Sequence, residues 1–341
     1  MKKIISLFAS ALLMSVLFLS CNAKKSSGKL QVVTTIYPVY DWVENILGEK
    51  SSDVEVTLLL DNGVDLHNYQ PSADDIVKII NSDVFIYVGG ESDEWVDDVL
   101  ENAVNKNMVV VNLLEEIGDA AKEEEFVEGM QQEDEHEHEH EHAHEDEDED
   151  EHEHEHHHDE EEAEYDEHVW LSLRNASVLT KSIASALKKV DSKNADVYEA
   201  NSLAYIEKLS ILDKEYSAAV SSAKRKTLLF ADRFPFRYMT EDYGLKYYAA
   251  FIGCSAETEA SFDTVIFLSK KLDELNLPVV LTIEGKSHRI AETVVAGSKN
   301  KNQKILSLNS LQASSKKDFT NGKDYLSVMY ANLDVLKEAL K

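Results

Sequence analysis

Cysteine is nearly missing from this chain: Cys21 and Cys254 are the only two in 341 residues. Two cysteines cannot build a disulfide framework, so the fold must rest on apolar cores, and an apolar content of 43% is enough for them. Basic residues are scarce as well. The 34 Lys and Arg stand against 65 Asp and Glu, a net charge of -31. That balance argues against a nucleic-acid partner and suits cations as cargo. A nucleophile elbow and a phosphate loop are also missing, and H-E-x-x-H occurs only inside a His- and acid-rich repeat, as in His136-Glu137-His138-Glu139-His140, where no apolar pattern supports the helix that motif needs. A metallohydrolase would further need an open coordination position beside a general base.

The most one-sided stretch runs from Glu133 to Glu162. Its 30 residues hold 19 Asp or Glu, 10 His and Ala143, with no Lys or Arg. It accounts for -19 of the net charge and leaves -12 for everything else. Such a run has nothing apolar to bury and repels itself, so it reads as a solvated, disordered loop. Its imidazoles, on His136, His138, His140, His142, His144, His152, His154, His156, His157 and His158, are ligands for zinc, copper and nickel. The carboxylates between them concentrate cations. The composition reads as an auxiliary metal-collecting loop; a plain acidic spacer is the alternative.

The N-terminus points to export. Lys2 and Lys3 precede an apolar stretch, Ile4 to Leu19, of 16 residues, short for a bilayer span and suited to a secretory signal. Ser20-Cys21 resembles a bacterial lipobox, with Phe18 where Leu is more usual. Residues 1–20 are therefore expected to be a signal peptide, Cys21 the lipidation site, and 21–28 a polar tether between membrane and domain. Cys254 then has no partner thiol and reads as a small buried residue.

Along residues 29–193, short apolar runs (Leu30 to Thr34, Val54 to Leu60, Val84 to Val88, Met108 to Val111) alternate with helical patterns. Ser72 and Asp75 have capping-box spacing for a helix from Ala73 to Ile80. The same alternation returns over residues 224–341. Between them, residues 194–223 contain no Pro or Gly and carry apolar residues at Val197, Ala200, Leu203, Ile206, Leu209, Leu212 and Ala219. That stripe predicts one helix of about 45 Å at 1.5 Å per residue. The expected fold class is α/β: two lobes, each a mainly parallel sheet flanked by helices, joined by one long rigid helix.

Outside the acidic run only His67, His168 and His288 remain. His67 lies in the loop Gly63-Val64-Asp65-Leu66-His67-Asn68-Tyr69-Gln70-Pro71-Ser72, between an expected strand and a capped helix, where open α/β folds place ligands. This loop, together with Asp166-Glu167-His168-Val169-Trp170-Leu171-Ser172, resembles the two N-terminal ligand motifs of the cluster A-I metal-binding lipoproteins of bacterial ABC importers for zinc and manganese. Glu167 stands where that family's second motif has Pro. Tyr243-Gly244-Leu245 and Tyr325-Leu326-x-x-Met329-x-x-Asn332-Leu333 resemble further landmarks, and the acidic His run lies where the zinc-specific members carry theirs.

The resemblance implies a solute receptor, not an enzyme. It would hold Zn2+ between two lobes and pass it to an ABC permease driven by its ATPase. It would work as a monomer, lipid-anchored on the outer face of the cytoplasmic membrane or in the periplasm. A surface metal buffer or adhesin, or the same importer role for Mn2+, is the alternative. The resemblance also implies His67 and His168 as ligands. It puts the third and fourth ligands at Arg233 and near Asn309, and neither side chain suits zinc. Glu284, ending the strand Val279 to Ile283, and His288 are the expected replacements, with Asp232 a weaker candidate.

Overall fold

The computed structural model describes residues 28–61, 63–131, 164–255, 259–285 and 287–341. The expected signal peptide, Cys21 with most of the expected tether, and all ten histidines of the acidic run lie outside the described residues.

The apolar runs become parallel strands, and the inner ones, Val84–Tyr87 and Val279–Ile283, are buried on both faces, while the edge strands are only partly covered. In the N-terminal lobe these are β1 (Leu30–Thr34), β2 (Val54–Leu58), β3 (Val84–Tyr87) and β4 (Val109–Asn112), in the order β2-β1-β3-β4. The C-terminal lobe has β5 (Thr227–Phe234), β6 (Lys246–Ile252), β7 (Val279–Ile283) and β8 (Lys304–Leu308), in the order β6-β5-β7-β8. The two sheets thus share one winding although no repeat is visible in the sequence. In each, strand order reverses beside the first strand, which opens a crevice at the carboxyl ends. The capping box of Ser72 and Asp75 starts the helix Ala73–Ile80 as expected.

The connecting helix runs from Ala195 to Ser222, but its buried stripe differs from the expected one. Tyr198, Ser202, Tyr205, Leu209, Leu212, Tyr216 and Val220 face inward, while Leu203 is 55% exposed. Tyrosine was the source of the misreading. Each ring buries an apolar body and finds a partner for its hydroxyl. Tyr198 donates to Asp191 Oδ2 at 2.7 Å, Tyr205 to Asp41 Oδ2 at 2.9 Å and Tyr216 to the Met329 carbonyl at 2.6 Å. From Tyr198 to Leu212 the stripe steps alternately by four and three residues, a 3.5-residue seam, and its last two steps, to Tyr216 and Val220, are of four.

One core runs through both lobes. Val32, Trp42 and Phe85 of the first lobe belong to the same buried cluster as Phe230, Leu281 and Leu333 of the second. A smaller cluster, including Leu268, Val280 and Val294, lies on the outer face of the second sheet. Trp170 seals the junction. Its indole N–H donates to the Ser310 carbonyl at 2.8 Å, and Tyr325 donates to the Trp170 carbonyl at 2.6 Å.

Asp41 sits inside this core, fully buried, and burial, opposed by the Tyr205 hydrogen bond, pushes its carboxyl up to about 7. Between its ordinary value of 3.8 and about 7 the unfolded chain releases a proton that the fold retains. This group's contribution to stability therefore falls as pH rises across that window and is constant above it. In urea titrations from pH 4 to 8, Asp41→Asn is expected to flatten the stability profile by at most about 4 kcal/mol. Profiles of equal slope in parent and variant would overturn the assignment.

Candidate metal centre

His67 follows β2 in the one-turn helix Leu66–Asn68, whose N-cap is Asp65. His168 ends the segment Asp166-Glu167-His168 and leads into the turn Val169–Leu171. That segment is held from both sides of the acidic run: Glu123 and Tyr165 form an antiparallel bridge, and Asp166 N donates to the Lys122 carbonyl at 2.8 Å. The two imidazoles converge, with Nε2 to Nε2 at 3.2 Å.

Both rings are fixed from behind. His168 Nδ1 lies 3.0 Å from Asp166 Oδ1, which also accepts the His168 backbone N–H at 2.8 Å. His67 Nδ1 lies 2.8 Å from Ser92 Oγ and 3.3 Å from Glu167 Oε2. Glu167 is itself oriented by the Ser92 backbone N–H at 2.7 Å. Carboxylates behind Nδ1 keep the proton there and turn each Nε2 lone pair toward the shared point, the usual second shell of a metal-binding imidazole.

Burial opposes charge at each of these groups, and the local pairing decides the outcome. Desolvation alone would lower His168, but the carboxylates of Asp166, Glu124 and Glu167 raise it. Desolvation would raise Glu167, yet its hydrogen bonds with His67 and Ser92 hold it below the usual carboxylate range. Asp65 is likewise held low, against its burial, by Arg233 and His67. A cavity of about 880 Å³ opens beside the pair and is lined by His67, Ser92, Cys254 and five glutamates, Glu91, Glu94, Glu124, Glu164 and Glu167. Glu164, two residues past the acidic run in sequence, is part of this wall. A concave acidic wall focuses potential and draws cations in.

The second lobe meets this pair through three contacts. A register shift between Phe230 and Arg233 re-aims the end of β5. Arg233 then reaches across to Asp65 Oδ2 at 2.7 Å and to the Ser255 carbonyl at 3.2 Å. Gln312, after β8, places Nε2 at 2.9 Å from His168 Nε2 and 3.2 Å from His67 Nε2. Gly253 packs so closely that a Cβ there would stand 3.0 Å from His168 Cε1 and 3.0 Å from the Phe234 carbonyl. A side chain there would push the His168 ring or the Phe234 carbonyl back by a few tenths of an ångström.

Of the four expected ligands, the structure brings together His67 and His168. Glu284 is turned to Ser310, accepting its N–H at 2.6 Å and its hydroxyl at 2.7 Å. Ser310 in turn contacts Gln312 at 2.9 Å, so Glu284 stands behind the imidazoles at one end of a hydrogen-bonded chain. His288 caps the helix Arg289–Gly297, and its buried Nδ1 has no partner among the described residues. Neither residue joins the imidazole pair. Asp232 accepts from its neighbour's backbone N–H at 2.9 Å and from Ile283 N at 3.2 Å. Asn309 accepts from Leu311 N at 2.8 Å and shapes a turn.

Cys254 corrects the expectation of a plain buried residue. It is half-buried, lines the cavity, and offers a sulfur that lies with the two Nε2-bearing rings: ligand atoms of His67, His168 and Cys254 are all within 4.8 Å of one another. Burial and the carboxylates of Glu124, Asp166 and Glu167 push its thiol well above the ordinary range. The signal that could have found it is positional. Cys254 lies two residues past the carboxyl end of β6, on the rim where such folds bind ligands.

The chain is similar to known zinc-binding proteins in sequence and in fold. The profile of the family described as "ZnuA: Zinc-uptake complex component A periplasmic" matches residues 32–339. The zinc-binding protein AdcA of Streptococcus pyogenes is 32% identical over 99% of this chain, and the chain spans 61% of that relative's length. The high-affinity zinc uptake system protein ZnuA of Bacillus subtilis is 32% identical over 94% of this chain and 90% of its own length. Among solved structures, the Zn(II)-bound ZnuA-like domain of Streptococcus pneumoniae AdcA superposes with a TM-score of 0.67 at 28% identity, covering 92% of this chain and 99% of that one. The metal-dependent lipoprotein YcdH of Bacillus subtilis gives 0.69 at 29% identity, with the same coverage.

Proposed function

This chain belongs to the ZnuA family of zinc-uptake components, and from that membership we propose that it is an extracytoplasmic receptor that captures Zn2+ between its lobes and delivers it to an ABC permease. The reading includes lipid anchoring through Cys21, as the name of the zinc-binding lipoprotein AdcA of Streptococcus pneumoniae suggests for a relative 33% identical. The observation that carries the reading is the 3.2 Å separation of the two Nε2 atoms. Two nitrogens bound to one tetrahedral zinc at about 2.0–2.1 Å are about 3.3 Å apart, so the pair is already set for the ion. Imidazole donors favour zinc over magnesium, calcium and manganese.

The acidic cavity supplies attraction and the imidazoles supply specificity. Arg233 and Asp65 tie the lobes beside the site, and the continuous core limits the movement that release can use. The run from Glu133 to Glu162 adds weaker sites and raises the local supply of ion.

Competition against a chelator tests this. With residues 133–162 deleted, the chain is expected to keep one tight zinc site while total stoichiometry falls. His67→Ala in the same background is expected to weaken that site by about 100-fold, one ligand's share of the about 10–16 kcal/mol available to a four-ligand zinc site. A deleted chain without a tight site would move the metal into the run and leave a surface buffer as the function.

A further inference from the structure

We propose that Cys254 is the ligand contributed by the second lobe, so that the receptor holds its cargo in a two-histidine, one-thiolate site. The proposal rests on the zinc reading above and specifies its third donor. The carboxylates of the second lobe near the pair are engaged elsewhere, and Gln312 meets the imidazoles through its amide nitrogen, which is not a metal ligand. Glu284 is bound to Ser310, Asp232 to two backbone N–H groups, and Arg233 cannot ligate a cation and is paired with Asp65. Among the described His, Cys, Asp and Glu residues of the second lobe, Cys254 is the one whose ligand atom groups with both imidazoles, all within 4.8 Å of one another.

The distances suit zinc. A sulfur at about 2.3 Å and a nitrogen at about 2.0–2.1 Å on one tetrahedral ion lie about 3.5 Å apart. Closing from within 4.8 Å therefore requires a shift of little more than about 1 Å. The thiol also has a positioning partner, since its S–H donates to the Glu124 carboxylate, on the segment just before the acidic run. The fourth position falls to water, since Gln312 turns its amide nitrogen to both Nε2 atoms and its oxygen to Ser310.

A thiolate in place of a carboxylate changes selectivity. Soft sulfur favours zinc and copper and disfavours manganese. The cargo class is therefore a borderline or soft divalent ion.

Cobalt(II) reports sulfur directly, because a thiolate ligand adds a charge-transfer band that imidazole and carboxylate ligands do not. The full chain carrying Cys21→Ser keeps Cys254 as its only thiol. One equivalent of Co2+ is expected to give that band, and zinc is expected to remove it stoichiometrically. Adding Cys254→Ser should abolish the band and weaken zinc by at least about 10-fold, the lower bound for losing even an outer-sphere partner. Tight zinc binding that needs His67 but comes with no sulfur band would overturn the cysteine assignment and leave the zinc reading standing. Tight binding indifferent to His67→Ala would remove both.

Discussion

His168→Ala is expected to abolish tight zinc binding and to destabilise the metal-free fold in the same step. The first effect follows from the ligand count. Losing one donor from a zinc site costs about 3 kcal/mol, or about 100-fold in affinity. The second follows from burial. His168 is fully buried and Asp166 is 1% exposed, with Asp166 Oδ2 already lacking a hydrogen-bond partner. Removing the ring strips Asp166 of a second contact and leaves a buried carboxylate held only through the backbone N–H. Breaking a buried charged pair from one side costs about 3–5 kcal/mol. Asp166→Asn separates the two terms. It keeps the ligand and loosens its orientation, so affinity should fall by about 10- to 100-fold with little loss of stability. Chelator competition and urea unfolding without metal read the two effects independently. Parent-like affinity in His168→Ala would remove this residue from the site.

The two histidines were legible because each sits in a short polar segment between strongly patterned elements, and because the chain has so few others to spend. The strands were legible for a similar reason: inner parallel strands are buried on both faces, and continuous apolar runs such as Val84–Tyr87 have no other use. The second lobe's share of the site was not legible. Glu284 does end β7, but an adjacent loop supplies the Ser310 N–H and hydroxyl that claim it, and no spacing within Val279–Ile283 encodes that neighbour. Cys254 and Gln312 reach His168 from positions 86 and 144 residues away, through strand order alone. Arg233 shows the same limit from the other side. Its type excluded it as a ligand, while its ion pair with Asp65 depends on how the lobes face each other. The connecting helix failed for a chemical reason, since an apolar count that omits tyrosine omits the residues that fill its buried seam.

Trp170→Ala is expected to lower stability by about 3–5 kcal/mol, the cost of emptying a large aromatic site, with about 1 kcal/mol more for the hydrogen bond lost at the Ser310 carbonyl. The indole is fully buried where the lobes meet, 5.2 Å from the His168 ring, and its N–H spans from the first lobe to the second. Two lobes with separate cores would unfold separately, and a cavity at their junction would mainly loosen their docking. Here the first sheet, the connecting helix and the inner face of the second sheet share one buried cluster. The unfolding curve of Trp170→Ala should therefore shift to lower urea as a single transition with an unchanged slope. Zinc should restore part of the loss by mass action, because the vacated indole lies against a ligand the metal would hold in place. Two resolved transitions, one insensitive to zinc, would mean that the lobes are coupled only through the ion and not through the core.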